Sequence, residues 1–451
     1  MSAWSAVVLA AGRGVRMKSR LPKVLHQVAG KEMVRHVVDA VRETGPARLL
    51  LVVPPHATAL KAALGDAVEL VEQPRPRGTG DAMAQAAPAL GTSTDAVLAM
   101  GADCPLISSA TLRALLERHS ASGATITLVT SSRCPTDGMG RILRDASGRV
   151  VAIVEEAEAG EEVRSISEIN SAIYCFFAPW LWAHLPRLET RNNGEVYLTD
   201  LVALARQEGA RIETVEPEEP LEVMGVNDRA QLAVAEQAMQ RRLRQRWMRD
   251  GVTMLDPETT YIGAEVQLGQ DTVILPNTAV SGSSRIGEEC RIGPNATIRD
   301  SVVGRGCQVD ASTLEEAVLE DGVHVGPYSH LRPGAYLESG VHLGNYAEVK
   351  NSRLGRGTHM GHFSYIGDAT VGPGVNIGAG TITCNYDGVA KHQTIIEEGA
   401  FIGSDSLLVA PVRVGARART GAGSVVTKDV PPGYLVVGVP ARRVRRVPAP
   451  P

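Results

Sequence analysis

Residues 261–300 read YIGAEVQLGQDTVILPNTAVSGSSRIGEECRIGPNATIRD, with an aliphatic residue at every sixth position from 262. The aliphatic positions are Ile262, Leu268, Ile274, Val280, Ile286, Ile292 and Ile298. A glycine or another small residue often follows the aliphatic one, as in Ile262-Gly263. A six-residue repeat of this kind is typical of a parallel β-helix, in which each short strand points one aliphatic side chain into a prism. The stretch therefore predicts the fold of the second half of the chain.

The repeat continues well beyond residue 300, with slips of phase. Its later aliphatic positions are Leu319, Val325, Leu331, Leu337, Leu343, Val349, Leu354, Met360, Ile366, Val371, Ile377, Ile396, Ile402, Leu408, Val414 and Val426. Three hexapeptides make a coil, so the stretch predicts on the order of ten coils about 4.8 Å apart. The segment 378–395 interrupts the period, and it is either a plain surface loop or a binding loop; its Asn, Tyr and Asp residues favour binding. The flat faces of such a solenoid favour a trimer.

The first half of the chain has a different pattern. Apolar runs at Trp4–Ala10, Leu49–Val53 and Val97–Met100 read as strands, and Met33–Val41 has the spacing of an amphipathic helix. Strands that alternate with helices predict a mostly parallel sheet covered on both faces. A glycine-rich loop follows the first strand directly, which is where a doubly wound α/β fold binds its ligand.

One long helix is expected between the two halves. Its apolar residues recur at spacings of three and four among Gln, Glu and Arg: Leu232, Ala235, Met239, Leu243 and Trp247. We therefore predict three parts: an α/β domain over 1–226, a linker helix over 227–250, and a β-helix domain with a C-terminal tail over 251–451.

The composition excludes several classes of function. The 451 residues carry 46 Lys+Arg against 50 Asp+Glu, a net charge of −4, which provides no electrostatic surface for nucleic acid or anionic lipid. No apolar run approaches the roughly 18–20 residues of a membrane span, and the N-terminus lacks the features of a signal peptide. The cysteines at 104, 134, 175, 290, 307 and 384 are far apart, so neither a zinc site nor a disulfide framework is expected. We expect a cytoplasmic, reduced protein with no nucleic-acid or membrane partner.

Residues 9–17, LAAGRGVRM, followed by Pro22-Lys23, have the features of a phosphate-binding loop. Small residues let backbone N–H groups approach a phosphate chain, and Arg16 and Lys23 would neutralise its charge. A glycine-rich loop alone could equally be a tight turn. Further matches follow along the chain: Gln73, Gly78-Thr79-Gly80, Asp103-Cys104-Pro105-Leu106, Gly140-Arg141-Ile142, Glu155, Glu168-Ile169-Asn170 and Gly225-Val226-Asn227.

These strings resemble the signature of sugar-1-phosphate nucleotidyltransferases. Together with the hexapeptide half, the chain resembles, over nearly its full length, the family of bifunctional N-acetylglucosamine-1-phosphate uridyltransferases / glucosamine-1-phosphate N-acetyltransferases. The resemblance implies an α/β Rossmann-like nucleotidyltransferase domain, a left-handed parallel β-helix that carries the acetyltransferase, and a homotrimer. The implied product is UDP-N-acetylglucosamine, a precursor for peptidoglycan and lipopolysaccharide and hence for cell-wall biogenesis and cell shape.

For the first half, the resemblance implies a site for UTP and the UDP-sugar. Its residues would be Leu9, Ala10, Ala11, Gly12, Lys23, Gln73, Gly78, Thr79, Gly101, Ala102, Asp103, Gly140, Glu155, Asn170 and Asn227. Asp103 and Asn227 would hold Mg²⁺, and Arg16 and Lys23 would be catalytic, stabilising the triphosphate. Gln73, Gly78 and Thr79 would hold the uracil, and Gly140, Glu155 and Asn170 the N-acetylglucosamine. Two departures from the family are Val15, in place of a small hydroxylated residue, and a 155–158 segment without its lysine.

For the second half, the resemblance implies that His362, in the string GHFSYIGD at 361–368, is the catalytic base. Acetyl transfer from a thioester to a sugar amine needs a base of near-neutral pKa, and histidine has one. Glu348 could orient the imidazole. The sugar phosphate would contact Arg332, Lys350, Tyr365, Asn376, Asn385 and Tyr386, and acetyl-CoA would contact Ala379, Ser404 and Ala422. The tail at Gly438-Val439-Pro440 lacks the family's arginine, so Arg442 or Arg443 would serve instead; Cys384 is interpreted as pocket wall.

The sequence thus predicts a two-site enzyme with Mg²⁺ as cofactor and acetyl-CoA and UTP as co-substrates, acting on glucosamine-1-phosphate and then on N-acetylglucosamine-1-phosphate. Two alternatives remain at this stage. One is a single-activity sugar-1-phosphate nucleotidyltransferase whose β-helix is structural or regulatory. The other is a non-enzymatic scaffold with a decayed nucleotidyltransferase domain.

Overall fold

A computed structural model describes residues 3–91 and 94–447 of the chain, so the extreme ends of the predicted domains lie outside the described residues. The chain divides into two compact units, Met1–Met239 and Gln240–Pro451. A continuous helix, Arg229–Arg249, occupies most of the stretch where the sequence predicts one. The predicted domain limits at 226 and 251 stay a prediction.

The strands and helices of the first unit alternate along the chain. The strands are β1 (Trp4–Leu9), β2 (Gln27–Val28), β3 (Lys31–Glu32), β4 (Leu49–Val53), β5 (Glu69–Glu72), β6 (Ala96–Gly101), β7 (Ile126–Ser131), β8 (Arg141–Arg144), β9 (Val150–Val154), β10 (Ile169–Phe177) and β11 (Ile212–Val215). The helices are α1 (Met33–Arg42), α2 (Thr58–Leu64), α3 (Thr79–Leu90), α4 (Ser109–Ser122), α5 (Glu161–Arg164), α6 (Ala178–His184) and α7 (Asp200–Gln207). A further helix, α8 (Arg229–Arg249), contains residues of both units. Short 3₁₀ turns occur at Val15–Met17, Lys23–Leu25, Gly65–Ala67, Glu156–Glu158, Leu185–Arg187, Pro220–Val223 and, in the second unit, Pro257–Thr259.

The central sheet of the first unit has the strand order β11-β7-β10-β6-β1-β4-β5, and the hairpin of β8 and β9 is attached to β10. β1 runs parallel to both β4 and β6, whereas β10 runs antiparallel to β6 and β7. The middle of β1 is fully buried, as expected for a strand covered on both faces. Leu9 at the end of β1 lies opposite Gly101 at the end of β6, so the loops that follow these two strands lie side by side.

The second unit is the predicted left-handed parallel β-helix, with three ladders of parallel strands that we call sheets I, II and III. Sheet I contains Thr253–Met254, Val273–Ile274, Arg291–Ile292, Gln308–Val309, His324–Val325, His342–Leu343, His359–Met360, Asn376–Ile377, Phe401–Ile402, Arg419–Thr420, Tyr434–Gly438 and Ala441–Arg446. Sheet II contains Tyr261–Ile262, Ala279–Ser281, Thr297–Arg299, Thr313–Glu315, His330–Leu331, Ala347–Lys350, Ser364–Gly367, Ile382–Cys384, Leu407–Val409 and Val425–Val426. Sheet III contains Gln267–Leu268, Arg285–Ile286, Val302–Val303, Val318–Leu319, Ala335–Leu337, Ser352–Leu354, Ala369–Val371, Thr394–Ile396 and Val412–Val414.

The hexapeptide pattern is explained by the interior of the prism. In most strands the aliphatic residue points inward, and together these residues form one continuous buried core; threonine takes the inward position at Thr383 and Thr420. Glycine after the aliphatic residue is required where coils turn closely over one another: a Cβ on Gly344 would lie only 1.9 Å from the carbonyl oxygen of Gly361. The repeat therefore encodes both the core and the tight stacking at a corner.

The interruption at 378–395 leaves the prism at a single corner. Within this segment, Ile382–Cys384 forms a strand of sheet II, and residues 385–393 then form a loop that ends at the sheet III strand Thr394–Ile396. At the C-terminal end, Tyr434–Gly438 continues sheet I and turns back antiparallel into Ala441–Arg446. No helix in the described part of the chain is both long and apolar enough to cross a membrane.

Candidate active sites

The loop after β1 bends closely around Lys23. Gly14 has a φ of 59°, in the left-handed region, and a Cβ there would lie 2.5 Å from the Cβ of Lys23. Only glycine fits both the backbone conformation and this close approach. Ala10 and Ala11 are buried, and the N–H of Ala102 donates to the carbonyl of Leu9 at 2.9 Å. The glycine-rich loop and the 101–103 segment are thus joined directly.

Lys23, Asp103 and Asn227 converge although they lie far apart in the sequence. The Nζ of Lys23 donates to Asp103 Oδ2 at 2.5 Å and to Asn227 Oδ1 at 2.9 Å. The side chains of Lys23 and Asp103 are only 12% and 25% exposed. The N–H of Val226 donates to the carbonyl of Asp103 at 2.8 Å, which fixes the segment of Asn227 against that of Asp103. A Cβ on Gly101 would lie 2.5 Å from Asp103 Oδ1, so glycine leaves room for this carboxylate.

These contacts allow a test of whether Mg²⁺ fits the site. The side-chain oxygens of Asp103 and Asn227 already aim at one point, where they hold the ammonium group of Lys23. Carboxylate and amide oxygens suit Mg²⁺, which commonly takes one or two protein ligands together with phosphates and water. The described residues contain no cluster of three or more His, Cys, Asp or Glu that could hold a metal. The donor set fits a cation that a bound triphosphate helps to hold.

The residues predicted to hold uracil lie together at the start of α3. Gln73 is 3% exposed, and its Nε2 donates to Asp81 Oδ2 at 2.7 Å and to the carbonyl of Gly78 at 3.3 Å. The hydroxyl of Thr79 accepts from the N–H of Leu198 at 3.0 Å. A Cβ on Gly78, whose φ is 93°, would lie 2.5 Å from the carbonyl oxygen of Val196. This part of the site is rigid and closely packed.

The predicted sugar-binding residues are also brought together. The N–H of Asn170 donates to the carbonyl of Gly140 at 2.8 Å, and a Cβ on Gly140 would lie 3.5 Å from Glu155 Oε2. Burial raises the pKa of Glu155, and a hydrogen bond from the Thr199 hydroxyl at 3.0 Å opposes that shift. The side-chain amide of Asn170 exchanges two hydrogen bonds with the Tyr174 hydroxyl, at 2.7 and 3.0 Å. Thr199 and Tyr174 support this pocket, and no motif in the sequence marks them.

Arg16 and Val15 lie at the open side of the glycine-rich loop. Val15 is 77% exposed, so the departure from the family pattern changes no packing. Arg16 is exposed, and its guanidinium approaches the 136–140 loop, with Nη1 3.8 Å from the position of a Cβ on Gly138. Within the described residues it makes no ion pair. Its charge is available to a ligand.

In the second unit, four predicted residues form a single row along one corner of the prism. The sheet I register pairs His359 with Asn376, Asn376 with Phe401, and Phe401 with Arg419. Three residues further along each coil, the same register stacks His362, Ala379, Ser404 and Ala422 in succession at the corner between sheets I and II. Backbone bonds support the stacking: the N–H of Asp405 donates to the Ala379 carbonyl at 2.6 Å, and that of Gly423 to the Ser404 carbonyl at 2.8 Å. An exposed histidine therefore heads a row of small residues.

The predicted phosphate contacts lie on sheet II next to this corner. Arg332 Nη1 donates to Glu348 Oε1 at 2.8 Å, and Glu348 pairs with Tyr365 across the strands. The carboxylate of Glu348 therefore binds Arg332, and no hydrogen bond joins it to His362 in the part of the chain that the structure describes. The ammonium of Lys391 lowers the pKa of Lys350, because two like charges are held close together. Lys391, in the inserted loop, therefore lies beside a predicted site residue, and no motif in the sequence marks it.

The inserted loop contributes Asn385 and Tyr386, whereas Asn376 lies elsewhere. Asn385 is buried and donates from Nδ2 to Asp368 Oδ2, and the Tyr386 hydroxyl donates to the Gly388 carbonyl at 2.6 Å. A β-bridge between Tyr386 and Lys391 directs the lysine back toward sheet II. Asn376 is on the outer side of sheet I, a different face of the prism from Arg332 and Lys350. One chain does not bring it to the other phosphate contacts.

The end of the row meets the C-terminal hairpin. Arg419 pairs with Leu435, so the same register places Gly438 beyond Ala422. Arg442 and Arg443 lie on the return strand opposite Val437 and Val436, and the Arg443 guanidinium stacks on Tyr434, 5.7 Å from the ring centroid. Cys384, at the edge of the inserted loop, is a free thiol whose pKa is raised by burial, in keeping with a wall position.

Comparison with known proteins matches both halves of the chain. Residues 6–249 match the family described as the MobA-like NTP transferase domain. Residues 265–300 match the bacterial transferase hexapeptide (six repeats), and residues 393–428 match the hexapeptide repeat of succinyl-transferase.

Relatives match over almost the whole length. The chain is 47% identical to the bifunctional protein GlmU of Heliobacterium modesticaldum over 434 residues, which cover 96% of this chain and 95% of that protein. It is 45% identical to the bifunctional protein GlmU of a Geobacillus species over 442 residues, 98% of this chain and 96% of the relative. The GlmU protein of Carboxydothermus hydrogenoformans is 45% identical over 432 residues, 96% of each chain.

The chain belongs to the bifunctional GlmU family. It is therefore a bifunctional transferase, with a nucleotidyltransferase activity in its first unit and a hexapeptide-repeat acetyltransferase activity in its second. This result removes the two alternatives left open by the sequence, a single-activity enzyme and a non-enzymatic scaffold.

Proposed function

We propose that the second unit transfers the acetyl group of acetyl-CoA to glucosamine-1-phosphate and that the first unit then joins N-acetylglucosamine-1-phosphate to the uridyl group of UTP. The convergence of Lys23, Asp103 and Asn227 carries the uridyl-transfer site, because it combines a cation with two hard oxygens beside a glycine-rich loop. The row of His362, Ala379, Ser404 and Ala422 is the observation that supports the acetyl-transfer site. The product, UDP-N-acetylglucosamine, would serve in the cytoplasm as a precursor for peptidoglycan and lipopolysaccharide.

In the first unit the chain mainly positions reactants and offsets charge. A phosphate oxygen of the sugar phosphate attacks the α-phosphorus of UTP, and pyrophosphate leaves from the opposite side. Asp103 and Asn227 would hold Mg²⁺, which supplies charge neutralisation at the triphosphate. Lys23 and Arg16 bind phosphate oxygens and stabilise the charge that develops on the leaving pyrophosphate. Gly140, Glu155 and Asn170 hold the sugar in a pocket that their own hydrogen bonds have already shaped.

In the second unit, His362 takes a proton from the ammonium group of the sugar, which leaves a neutral amine. The amine attacks the thioester carbonyl, and the tetrahedral adduct loses a second proton from its nitrogen to solvent as the C–S bond breaks. The proton held by His362 passes to the sulfur of the leaving CoA. Arg332, Lys350 and Lys391 provide the positive charge for the sugar phosphate. Ala379, Ser404 and Ala422 leave room along the corner for the pantetheine arm, which runs away from His362.

Asn376 supports a homotrimer. It faces outward from sheet I, whereas the other phosphate contacts face outward from sheet II, so a complete pocket needs the sheet I face of a second copy. An aromatic column at the corner between the two sheets is open in the single chain: Tyr328, Tyr346 and Phe363 are 60%, 59% and 57% exposed. Burial of such a column between copies is favourable. We therefore propose that three copies associate side by side through their prisms. Each acetyltransferase site would then contain residues of two copies.

The test is a paired assay on the purified full-length chain. One arm supplies glucosamine-1-phosphate and acetyl-CoA and follows free thiol; the other supplies N-acetylglucosamine-1-phosphate, UTP and Mg²⁺ and follows pyrophosphate. Both signals are expected, and removal of Mg²⁺ with a chelator should abolish only the pyrophosphate signal. Loss of the thiol signal alone would contradict the His362 site, and uridyl transfer that is unaffected by the chelator would contradict the metal assignment. Sedimentation of the same sample should give the mass of three chains.

A further inference from the structure

Arg141 is a buried charge beside the proposed sugar pocket, and none of the proposed steps uses it. It is the first residue of β8 and is 2% exposed. Its backbone lies opposite Val154 at the end of β9 and Ile169 at the start of β10. Gly140 precedes it, Glu155 follows Val154, and Asn170 follows Ile169. The buried arginine is therefore adjacent in space to all three segments that carry the proposed sugar contacts.

The polar contacts of Arg141 are few for a buried guanidinium. Nη1 donates to the carbonyl of Met139, and Glu156 Oε2 lies 2.8 Å from the same nitrogen, outside hydrogen-bond geometry. The Nε of Arg141 is buried without a partner among the described residues. The side chains of Arg141 and Glu156 are 3% and 35% exposed. A buried charge with so few hydrogen bonds depends strongly on its one ionic partner, and removal of that partner leaves the charge uncompensated.

This ion pair joins the two backbone segments on either side of the sugar. Through Met139 it holds the chain just before Gly140, and through Glu156 it holds the turn just after Glu155. A Cβ on Gly140 would lie 3.5 Å from Glu155 Oε2, so the space between these segments is narrow. Glu156 opens a short 3₁₀ turn, Glu156–Glu158, which has no side-chain cap. The Arg141 contact therefore restrains the start of that turn, together with the hydrogen bond from Thr199 to Glu155.

We propose that Arg141 is a positioning residue for the sugar pocket: its buried ion pair with Glu156 sets the separation of the segments carrying Gly140 and Glu155 to fit an N-acetylated hexosamine phosphate. The inference rests on the proposed uridyl-transfer function. Arg141 touches neither substrate nor the reacting phosphorus; it acts through the placement of Glu155. It therefore controls affinity for the sugar phosphate and the discrimination between an acetamido group and a hydroxyl at the sugar, and it leaves the UTP contacts unchanged.

The first test is Glu156→Gln in the full-length chain, which leaves the buried Arg141 without its ionic partner and should lower the melting temperature without unfolding the domain at the assay temperature. The KM for N-acetylglucosamine-1-phosphate should rise about tenfold, because a small displacement of a binding group has a large effect on binding. The KM for UTP should stay within about twofold, because Gln73, Gly78 and Thr79 belong to a separate cluster. The preference for N-acetylglucosamine-1-phosphate over glucose-1-phosphate, measured as a ratio of kcat/KM, should fall. Thermal unfolding of the same sample, followed by the helical circular-dichroism signal, reports whether the first unit is folded.

Glu162→Gln is the matched control. Glu162 is an exposed glutamate in the next helix, α5, and makes no ion pair among the described residues, so the same substitution there should change neither KM. A rise in the UTP and sugar KM by equal factors in Glu156→Gln would overturn the inference, since it would indicate general loosening of the domain. An unchanged sugar KM would overturn it as well.

A second variant separates positioning from stability. Arg141→Met/Glu156→Gln removes both charges, so its melting temperature should recover relative to Glu156→Gln alone, in which Arg141 stays buried and unpaired, while the sugar KM stays high. Recovery of the sugar KM together with the melting temperature would show that the pair matters only for stability, and the inference would fail. The proposed function has its own signature of failure: wild-type protein without uridyl transfer would overturn both, whereas an active wild type with a normal Glu156→Gln variant would overturn only this inference.

Discussion

The two sites are assembled in opposite ways. In the first unit, Lys23, Asp103 and Asn227 meet across long stretches of sequence, because the ends of β1 and β6 lie side by side in a sheet. In the second unit, His362, Ala379, Ser404 and Ala422 meet because each lies one coil beyond the last. The first site is enclosed by packed loops, and the second lies on exposed edges of a prism.

This difference shows that different interactions make the two sites rigid. The α/β unit holds its polar groups through one another, as Asp103 and Asn227 hold Lys23, so the loss of one group disturbs the others. The β-helix holds its strands in register through backbone ladders, so a change of one side chain leaves the backbone positions of the others in place. The sites should therefore respond differently to single substitutions, and each should be insensitive to changes in the other.

The largest effect is expected from Asp103→Ala. It removes a proposed metal ligand and the partner of Lys23 together, so uridyl transfer should fall about a thousandfold. Acetyl transfer by the same protein should be unchanged. Asp95→Ala is the control, because Asp95 is an exposed carboxylate immediately before β6, at the end of the strand far from Asp103. Pyrophosphate release measures the result, and near-normal uridyl transfer in Asp103→Ala would contradict the site.

His362→Ala should show the reverse pattern. Acetyl transfer should fall at least about a hundredfold, the usual contribution of a general base, while uridyl transfer is kept. His324→Ala removes a histidine from the outer face of sheet I two coils away from His359 and three from Asn376, and it should keep acetyl transfer much closer to wild type. If both variants lost activity equally, the corner position would not be what distinguishes His362.

Gly344→Ala tests whether the second site depends on the close stacking of successive coils of the β-helix. Its Cβ would lie 1.9 Å from the carbonyl oxygen of Gly361, next to His362. Overpacking of this kind costs about 1–3 kcal/mol of unfolding free energy, so the thermal transition of the β-helix should shift downward. Gly361→Ala is the paired control, since a Cβ there meets no atom within 4 Å. Equal melting temperatures for the two variants would contradict the role of the repeat glycine.

The smallest effect concerns the pH dependence of acetyl transfer. Lys391 holds the pKa of Lys350 below its ordinary value, so Lys350 loses its charge at a lower pH than a free lysine would. Affinity for the sugar phosphate should therefore weaken earlier as the pH rises. In Lys391→Gln the pKa of Lys350 should return upward, and the midpoint of the rise in KM should move to higher pH even though the KM itself is larger. A midpoint that stays in place would contradict the coupling.

The sequence was most informative where geometry follows from spacing. The inward residues of the β-helix, from Ile262 to Val426, could be read directly because a coil of fixed period turns distance along the chain into stacking. The sequence pattern did not identify Lys391, because this residue lies in the interruption at 378–395, where no six-residue period constrains the backbone. The hydrogen-bond partner of Glu348 could not be predicted either. Strand spacing places Glu348 near both Arg332 and His362, and only side-chain geometry decides between them.

In the first unit the motifs identified the residues but not their contacts. Asp103 and Asn227 were named together because of the family resemblance, and their meeting at Lys23 depends on strand order, which local pattern does not encode. Thr199 and Tyr174 carry no motif, because a hydroxyl that supports a binding residue can come from any nearby segment. The Arg141–Glu156 pair could not be read from sequence either, since burial makes the ion pair important and spacing does not reveal burial.

The inserted loop has a consequence for how such an enzyme can change over evolutionary time. Residues 385–393 leave the prism at the corner between sheets II and III, whereas the row from His362 to Ala422 runs along the corner between sheets I and II. Growth or loss of residues in the loop therefore alters the wall of the sugar pocket without altering the pitch of the row. Insertion of a whole coil between Ala379 and Ser404 would do the opposite and lengthen the row by about 4.8 Å. The corner between sheets I and II sets the length of the row proposed to bind the acyl donor. The corner between sheets II and III can vary with the acceptor.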